Sequence, residues 1–220
     1  VLLLHGTVST PASNFTPLAA GLQSSGRCVY AVLYGGLFGW GGIGDIDTSA
    51  REVAAFARKV KQASGSEQLD VVAFSQGALV LRDALQAALD PADVRLAVLL
   101  APNYHGTTVD LATRVPAAVC PACAQQVAGS ALLVRLAQHG ELAPGVRYAT
   151  LSTRRDTWVL PVADQSPRGP ADRVRRQLLE DACPRVLTTH IDLPATPAAL
   201  NWVLAALRSQ GRPPATFACQ

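Results

Sequence analysis

Short runs of β-branched and leucine-rich residues alternate along this chain with segments of helical periodicity. That alternation confines the fold to the α/β class: a mostly parallel central sheet with crossover helices on both faces. Strands are predicted at 1–4, 28–33, 69–73, 95–101, 146–152 and 185–189, and helices at 15–24, 49–62, 76–88, 130–139 and 197–208. The second helix is the best marked. Ser49 and Glu52 read as a capping box, and Val53, Phe56, Ala57 and Val60 fall on one face. Two stretches break the alternation. Residues 35–42 are too rich in glycine for a regular element and predict a loop carrying Phe38 and Trp40. Residues 109–143 form a small, apolar excursion, expected as a cap over the carboxyl edge of the sheet, where parallel α/β proteins bind ligands.

The 220 residues suit one domain spanning the whole chain. With 49% apolar and 16% charged residues there is enough apolar surface to offset the entropy of ordering, which excludes a disordered chain. A net charge of +3 without any basic run, and only 5% aromatic residues, argues against a nucleic-acid partner. The longest apolar stretch, 96–101, is far short of the roughly 20 residues a membrane-spanning helix needs.

The chain opens inside a predicted strand and contains no methionine, so upstream residues are expected, with any secretion signal among them. Five cysteines point to an oxidising compartment, and the odd count leaves one without a partner in the chain. Cys120 and Cys123 have the C-x-x-C spacing of redox motifs and zinc knuckles. Neither context fits, because no second ligand pair accompanies them and they follow Pro116 in an Ala-rich segment rather than a strand. A short structural disulfide is the expectation, with no metal.

Ser-x-Gly occurs at Ser24, Ser75 and Ser209, so the bare pattern carries nothing. Ser75 alone follows a buried strand and precedes a helix, which is the setting of a nucleophile elbow. Small residues are needed two positions before and after, where strand and helix pass closely; Gly77 meets one need, and Ala73 replaces the usual glycine at the other. Four histidines compete for the role of base. His5 ends the first strand and His139 ends a helix. His105 follows a strand and is a rival. His190 comes directly after the predicted last strand and is preferred. Asp156, just past strand 146–152, is the preferred orienting acid, with Asp164 second; Asp192 is too close to His190 along the chain. An oxyanion hole would use the N–H groups of Gln76 and Thr7, the latter with a hydroxyl that can add a further hydrogen bond.

These residues, with the stretches Ala101-Pro102-Asn103-Tyr104-His105-Gly106-Thr107 and Gln125-Gln126-Val127-Ala128-Gly129-Ser130-Ala131-Leu132, make the chain resemble α/β-hydrolase lipases, in particular the group around Candida antarctica lipase B and its bacterial relatives. The resemblance runs nearly end to end. It implies an α/β-hydrolase fold, a triad of Ser75, Asp156 and His190, and an oxyanion hole at Thr7 and Gln76. It also implies that Phe74, Asn103 and Gln126 line the acyl and alcohol pockets. The group has Trp where Phe74 stands and Asp where Asn103 stands. A Cys183–Cys219 disulfide is implied too, with a partner for Cys28 upstream of Val1. The chain is shorter than the fungal lipase between Asp156 and Cys183 and at its C-terminus, which implies a more open mouth.

The sequence therefore reads as a secreted, monomeric serine hydrolase without a cofactor, acting on carboxylic esters with hydrophobic acyl chains through an acyl-enzyme. Its substrate would be a small-molecule or lipid ester, met at times at a lipid–water interface. Leu37, Phe38, Trp40 and the 109–143 excursion would supply acyl-chain contacts or a surface that meets lipid, with ordinary packing of the excursion the alternative. Acyl transfer by the same intermediate, or a non-catalytic binding role for the fold, are the alternatives.

Overall fold

The computed structural model describes residues 1–36, 39–109 and 116–220. Its strands are β1 (Leu2–Leu4), β2 (Tyr30–Val32), β3 (Leu69–Phe74), β4 (Val94–Leu100), β5 (Arg147–Ser152) and β6 (Val174–Leu178). The helices are α1 (Pro11–Ser24), α2 (Ile46–Ser64), α3 (Gln76–Ala87), α4 (Pro121–Gln125), α5 (Ala131–Gln138), α6 (Leu179–Ala182) and α7 (Pro197–Arg208). The strands form one sheet in the order β2-β1-β3-β4-β5-β6, parallel at every pairing.

Side chains alternate across a strand, so the near-continuous apolar runs of β1, β3 and β4 feed two cores. Leu2, Leu4, Val71, Ala73, Ala97 and Leu99 pack against the apolar faces of α2, α3 and α5. Leu3, Val72, Phe74, Val98 and Leu100 pack on the other side against α1 and α7. Trp202 of α7 is fully buried there, and its indole N–H donates to Gln177 Oε1 of β6 at 3.0 Å. Truncating such a side chain costs about 3–5 kcal/mol.

Three sequence expectations are corrected. Residues 185–189 are not a strand but irregular chain, and the last strand is Val174–Leu178. Its sequence, Val-Arg-Arg-Gln-Leu, hides it because both arginines are exposed on a strand paired on one side only. Ser49 and Glu52 do not cap α2. The helix starts earlier, Asp45 accepts the Thr48 N–H at 2.8 Å as N-cap, and Glu52 takes the Gly35 N–H instead. Helix α1 likewise starts at Pro11, before the predicted Phe15, with Thr10 and Ser13 forming the capping box.

The excursion after β4 is described except for residues 110–115, and it is packed rather than free-standing. Leu132, Leu133 and Leu136 of α5 lie in the core beside α3. Buried Arg82 of α3 donates to the carbonyls of Tyr104, Leu136 and Gly140. Arg135 of α5 pairs with Asp83 of α3 and Asp47 of α2. Both expected disulfides form, Cys120–Cys123 and Cys183–Cys219, while Cys28 is free and exposed. Among the described residues no helix is long and apolar enough to cross a membrane.

Candidate active site

Strand order reverses beside β1, so the carboxyl ends of β1 and β3 open into a crevice. Ser75 stands at that point, one residue past β3 and one before α3. Its φ of 52° and ψ of −118° lie in a region L-residues avoid. The strained turn is held by Ser75 N–H donating to Leu100 O and Asn103 N–H donating to Ser75 O, each at 3.0 Å. Gly77 is required beneath it. A Cβ there would collide with the Leu4 carbonyl oxygen and stand 2.9 Å from that of His5.

His190 reaches the same point from the irregular segment after α6. Its Nδ1 lies 2.6 Å from Asp156 Oδ2 and its Nε2 lies 2.9 Å from Ser75 Oγ. An ionised carboxylate only accepts, so Nδ1 carries the proton and Nε2 presents a lone pair to the serine hydroxyl, which donates. The Phe74 ring, centred 5.0 Å from the imidazole, limits its tilt. Asp156 is nearly buried, 3% exposed. Burial alone would push its pKa up, but the His190 hydrogen bond and charge, with the N–H groups of Val159 and Trp158, hold the carboxyl below the usual carboxylate range.

The loop 5–10 forms the opposite wall. Gly6 N–H donates to Asn14 Oδ1 at 2.8 Å, and Ser9 pairs with Gly41 through both backbone groups. Thr7 is thereby set beside the N-terminus of α3, where the Gln76 N–H has no acceptor within the helix. The Thr7 hydroxyl accepts from Gln76 Nε2 at 3.2 Å and donates to Gln126 Oε1 at 3.1 Å. Asn103 Nδ2 donates to the same Gln126 oxygen at 3.2 Å.

A cavity of about 520 Å³ opens on Ser75 and His190. Thr7, Asn103 and Gln126 give it a polar floor, while Phe74, Trp40, Trp158 and Val159 supply apolar walls. Cys123 and Gln126 are the contributions of the described part of the 109–143 excursion, and Leu37 and Phe38 lie outside the described residues. A larger hollow, about 710 Å³, lies beside the Cys183–Cys219 disulfide, but its lining carries no nucleophile paired with a base.

The rivals are engaged elsewhere. His105 Nδ1 faces the Asp164 carbonyl at 2.6 Å and Nε2 faces the Glu141 carboxylate at 2.8 Å, so neither nitrogen is free for Ser75. Asp164 pairs with Arg168, and Asp192 accepts from Thr189. His5 is buried, stacked on Tyr34, and His139 ends α5 on the surface. Sequence reasoning missed Trp158 in the cavity wall and Gln165, whose Nε2 lies 2.8 Å from Asp156 Oδ2. Nothing in their spacing marks either one.

A parallel sheet in this order, with a strained serine between its third strand and the following helix, defines the α/β-hydrolase fold. Among solved structures the chain is similar to lipase B of Aspergillus fumigatus, with a TM-score of 0.79 and 20% identity over 97% of this chain and 53% of that one. It thus spans about half the length of that lipase. It is also similar to a lipase of Bacillus licheniformis in its mature form (TM-score 0.66, 13% identity, 96% of this chain and 91% of that one). An α/β-hydrolase enzyme from a lagoon-sediment metagenome gives a TM-score of 0.61 at 16% identity, over 95% and 90% of the two chains. No family model matches the chain, and no curated protein does.

Proposed function

We propose that this chain is a serine carboxylic-ester hydrolase of the lipase and esterase type, related to the Candida antarctica lipase B group and working through an acyl-enzyme. The observation that carries this reading is the continuous hydrogen-bonded series from Ser75 Oγ through His190 to Asp156 at the mouth of a largely apolar cavity. In the first half-reaction His190 Nε2 takes the Ser75 proton as Oγ attacks the ester carbonyl. The ionised Asp156 stabilises the resulting imidazolium, and the N–H groups of Thr7 and Gln76, at the positive end of α3, hold the oxyanion. His190 then returns the proton to the departing alcohol. Water repeats the sequence, giving its proton to His190, and the acid leaves as Ser75 is reprotonated.

The apolar walls favour a hydrocarbon acyl chain. Val8, Trp40, Trp158 and Ile191 are large apolar side chains exposed around the mouth, which suits transient contact with a lipid–water interface. Two disulfides suit a secreted protein. The test is a series of p-nitrophenyl esters from short to long acyl chains, in solution and as emulsions. Turnover that rises with acyl length and is absent in Ser75→Ala is expected; turnover unchanged by Ser75→Ala would overturn the reading.

A further inference from the structure

We propose that Gln165 is a positioning residue for this chemistry: it fixes the Asp156 carboxylate and limits how strongly that carboxylate holds the His190 proton. The inference rests on the hydrolase reading of Ser75, His190 and Asp156. Gln165 is fully buried, and its Nε2 donates to Asp156 Oδ2 and to Val159 O, each at 2.8 Å. Both partners only accept, so the amide is held with its nitrogen toward them.

Asp156 consequently receives four donors. The backbone N–H groups of Trp158 and Val159 go to Oδ1, while His190 Nδ1 and Gln165 Nε2 share Oδ2. Oδ2 is the oxygen that must both aim the imidazole and respond when it becomes charged. A second donor on that oxygen draws off charge, so less of it is available to the imidazolium, and fixes the lone-pair direction left for Nδ1. Gln165 Oε1 is buried and has no hydrogen-bond partner among the described residues. The backbone beside it is anchored independently, because the Asp164 carbonyl accepts from His105 Nδ1 at 2.6 Å.

Gln165→Met keeps the length and unbranched shape while removing the donor. It removes one unpartnered oxygen and leaves the Val159 carbonyl without its side-chain donor, so the two effects on stability oppose each other. Expected is a fall in kcat of about tenfold with KM nearly unchanged, because the loss of imidazole alignment outweighs the firmer hold on the imidazolium. The acid limb of the kcat/KM profile should move to higher pH, because the carboxylate left with three donors stabilises the imidazolium more. A purely structural residue would lower the melting temperature without moving that limb. Gln165→Glu is the second variant, decisive even if the methionine protein fails to fold. Its carboxylic acid can donate to Asp156 only while protonated, so its activity should decline as pH rises where the wild type's increases. Retained kcat within about twofold and an unmoved acid limb in Gln165→Met, or a wild-type-shaped profile in Gln165→Glu, would overturn the proposal while Ser75-dependent turnover leaves the hydrolase reading standing. A wild type without ester turnover would overturn both.

Discussion

The substitution Asp156→Asn tests the reading of the site at the atom that sets the histidine's tautomer. Four donors converge on the native carboxylate, two on each oxygen. An asparagine has one oxygen to offer, and the fixed backbone N–H groups of Trp158 and Val159 claim it. Its NH2 group then faces His190 Nδ1–H and Gln165 Nε2, donor against donor. The imidazole escapes by moving its proton to Nε2, which removes the lone pair that Ser75 needs. Loss of the correct tautomer costs about 10⁴-fold in kcat in a site of this kind, about 5.5 kcal/mol on the barrier. The backbone hydrogen bonds survive, so the fold should hold, with a lower melting temperature because two buried donors lose their acceptor. The assay is kcat on p-nitrophenyl butyrate near neutral pH, beside a thermal melt. A kcat for Asp156→Asn within about tenfold of wild type would refute the tautomer argument.

Further outcomes follow from the elbow and from the Glu141 carboxylate. Gly77→Ala should destabilise the protein by about 2–3 kcal/mol and impair turnover, since the new methyl meets backbone oxygens at the end of β1 that cannot yield; urea denaturation checks it. Ser75→Gly should melt above Ser75→Ala, because only glycine adopts φ 52° and ψ −118° without strain of about 1–3 kcal/mol, and equal melting temperatures would contradict that. Glu141 is held at about 2: its burial works against ionisation, but the His105 ring and the Arg168 N–H outweigh that. A depressed carboxyl lends stability in full above its unfolded value of 4.5 and loses it as pH falls toward 2, here about 2 kcal/mol given its partial exposure. Urea unfolding across that window should be flatter in Glu141→Gln than in wild type.

The parts of the fold legible in the sequence are those where burial dictates composition. Strands β1, β3 and β4 are covered on both faces, and their apolar runs leave no other reading. Edge strand β6 obeys a different requirement, solubility of an exposed edge, so its arginines conceal it and a more apolar run at 185–189 is mistaken for it. Helix starts are misread for a related reason. Ser49 has the right chemistry for a cap, but Asp45 lies where the chain enters α2, and Ser49 donates to the Asp45 carbonyl from inside the helix. At the candidate site, Ser75 and Asp156 are singled out by strands that do form, β3 and β5. His190 is singled out by a strand at 185–189 that does not, so that only the Ser-Asp-His chain order carries its choice. Gln165 is not legible, because its relation to Asp156 depends on how the loop 157–164 returns, which no local pattern specifies.

The most direct measurement of the central claim is the intact mass of the protein after exposure to a fluorophosphonate, followed by peptide mapping. A single adduct located on Ser75, lost in Ser75→Ala and slowed severely in His190→Ala, is the predicted result. An adduct on another residue, or equal modification of wild type and Ser75→Ala, would contradict it.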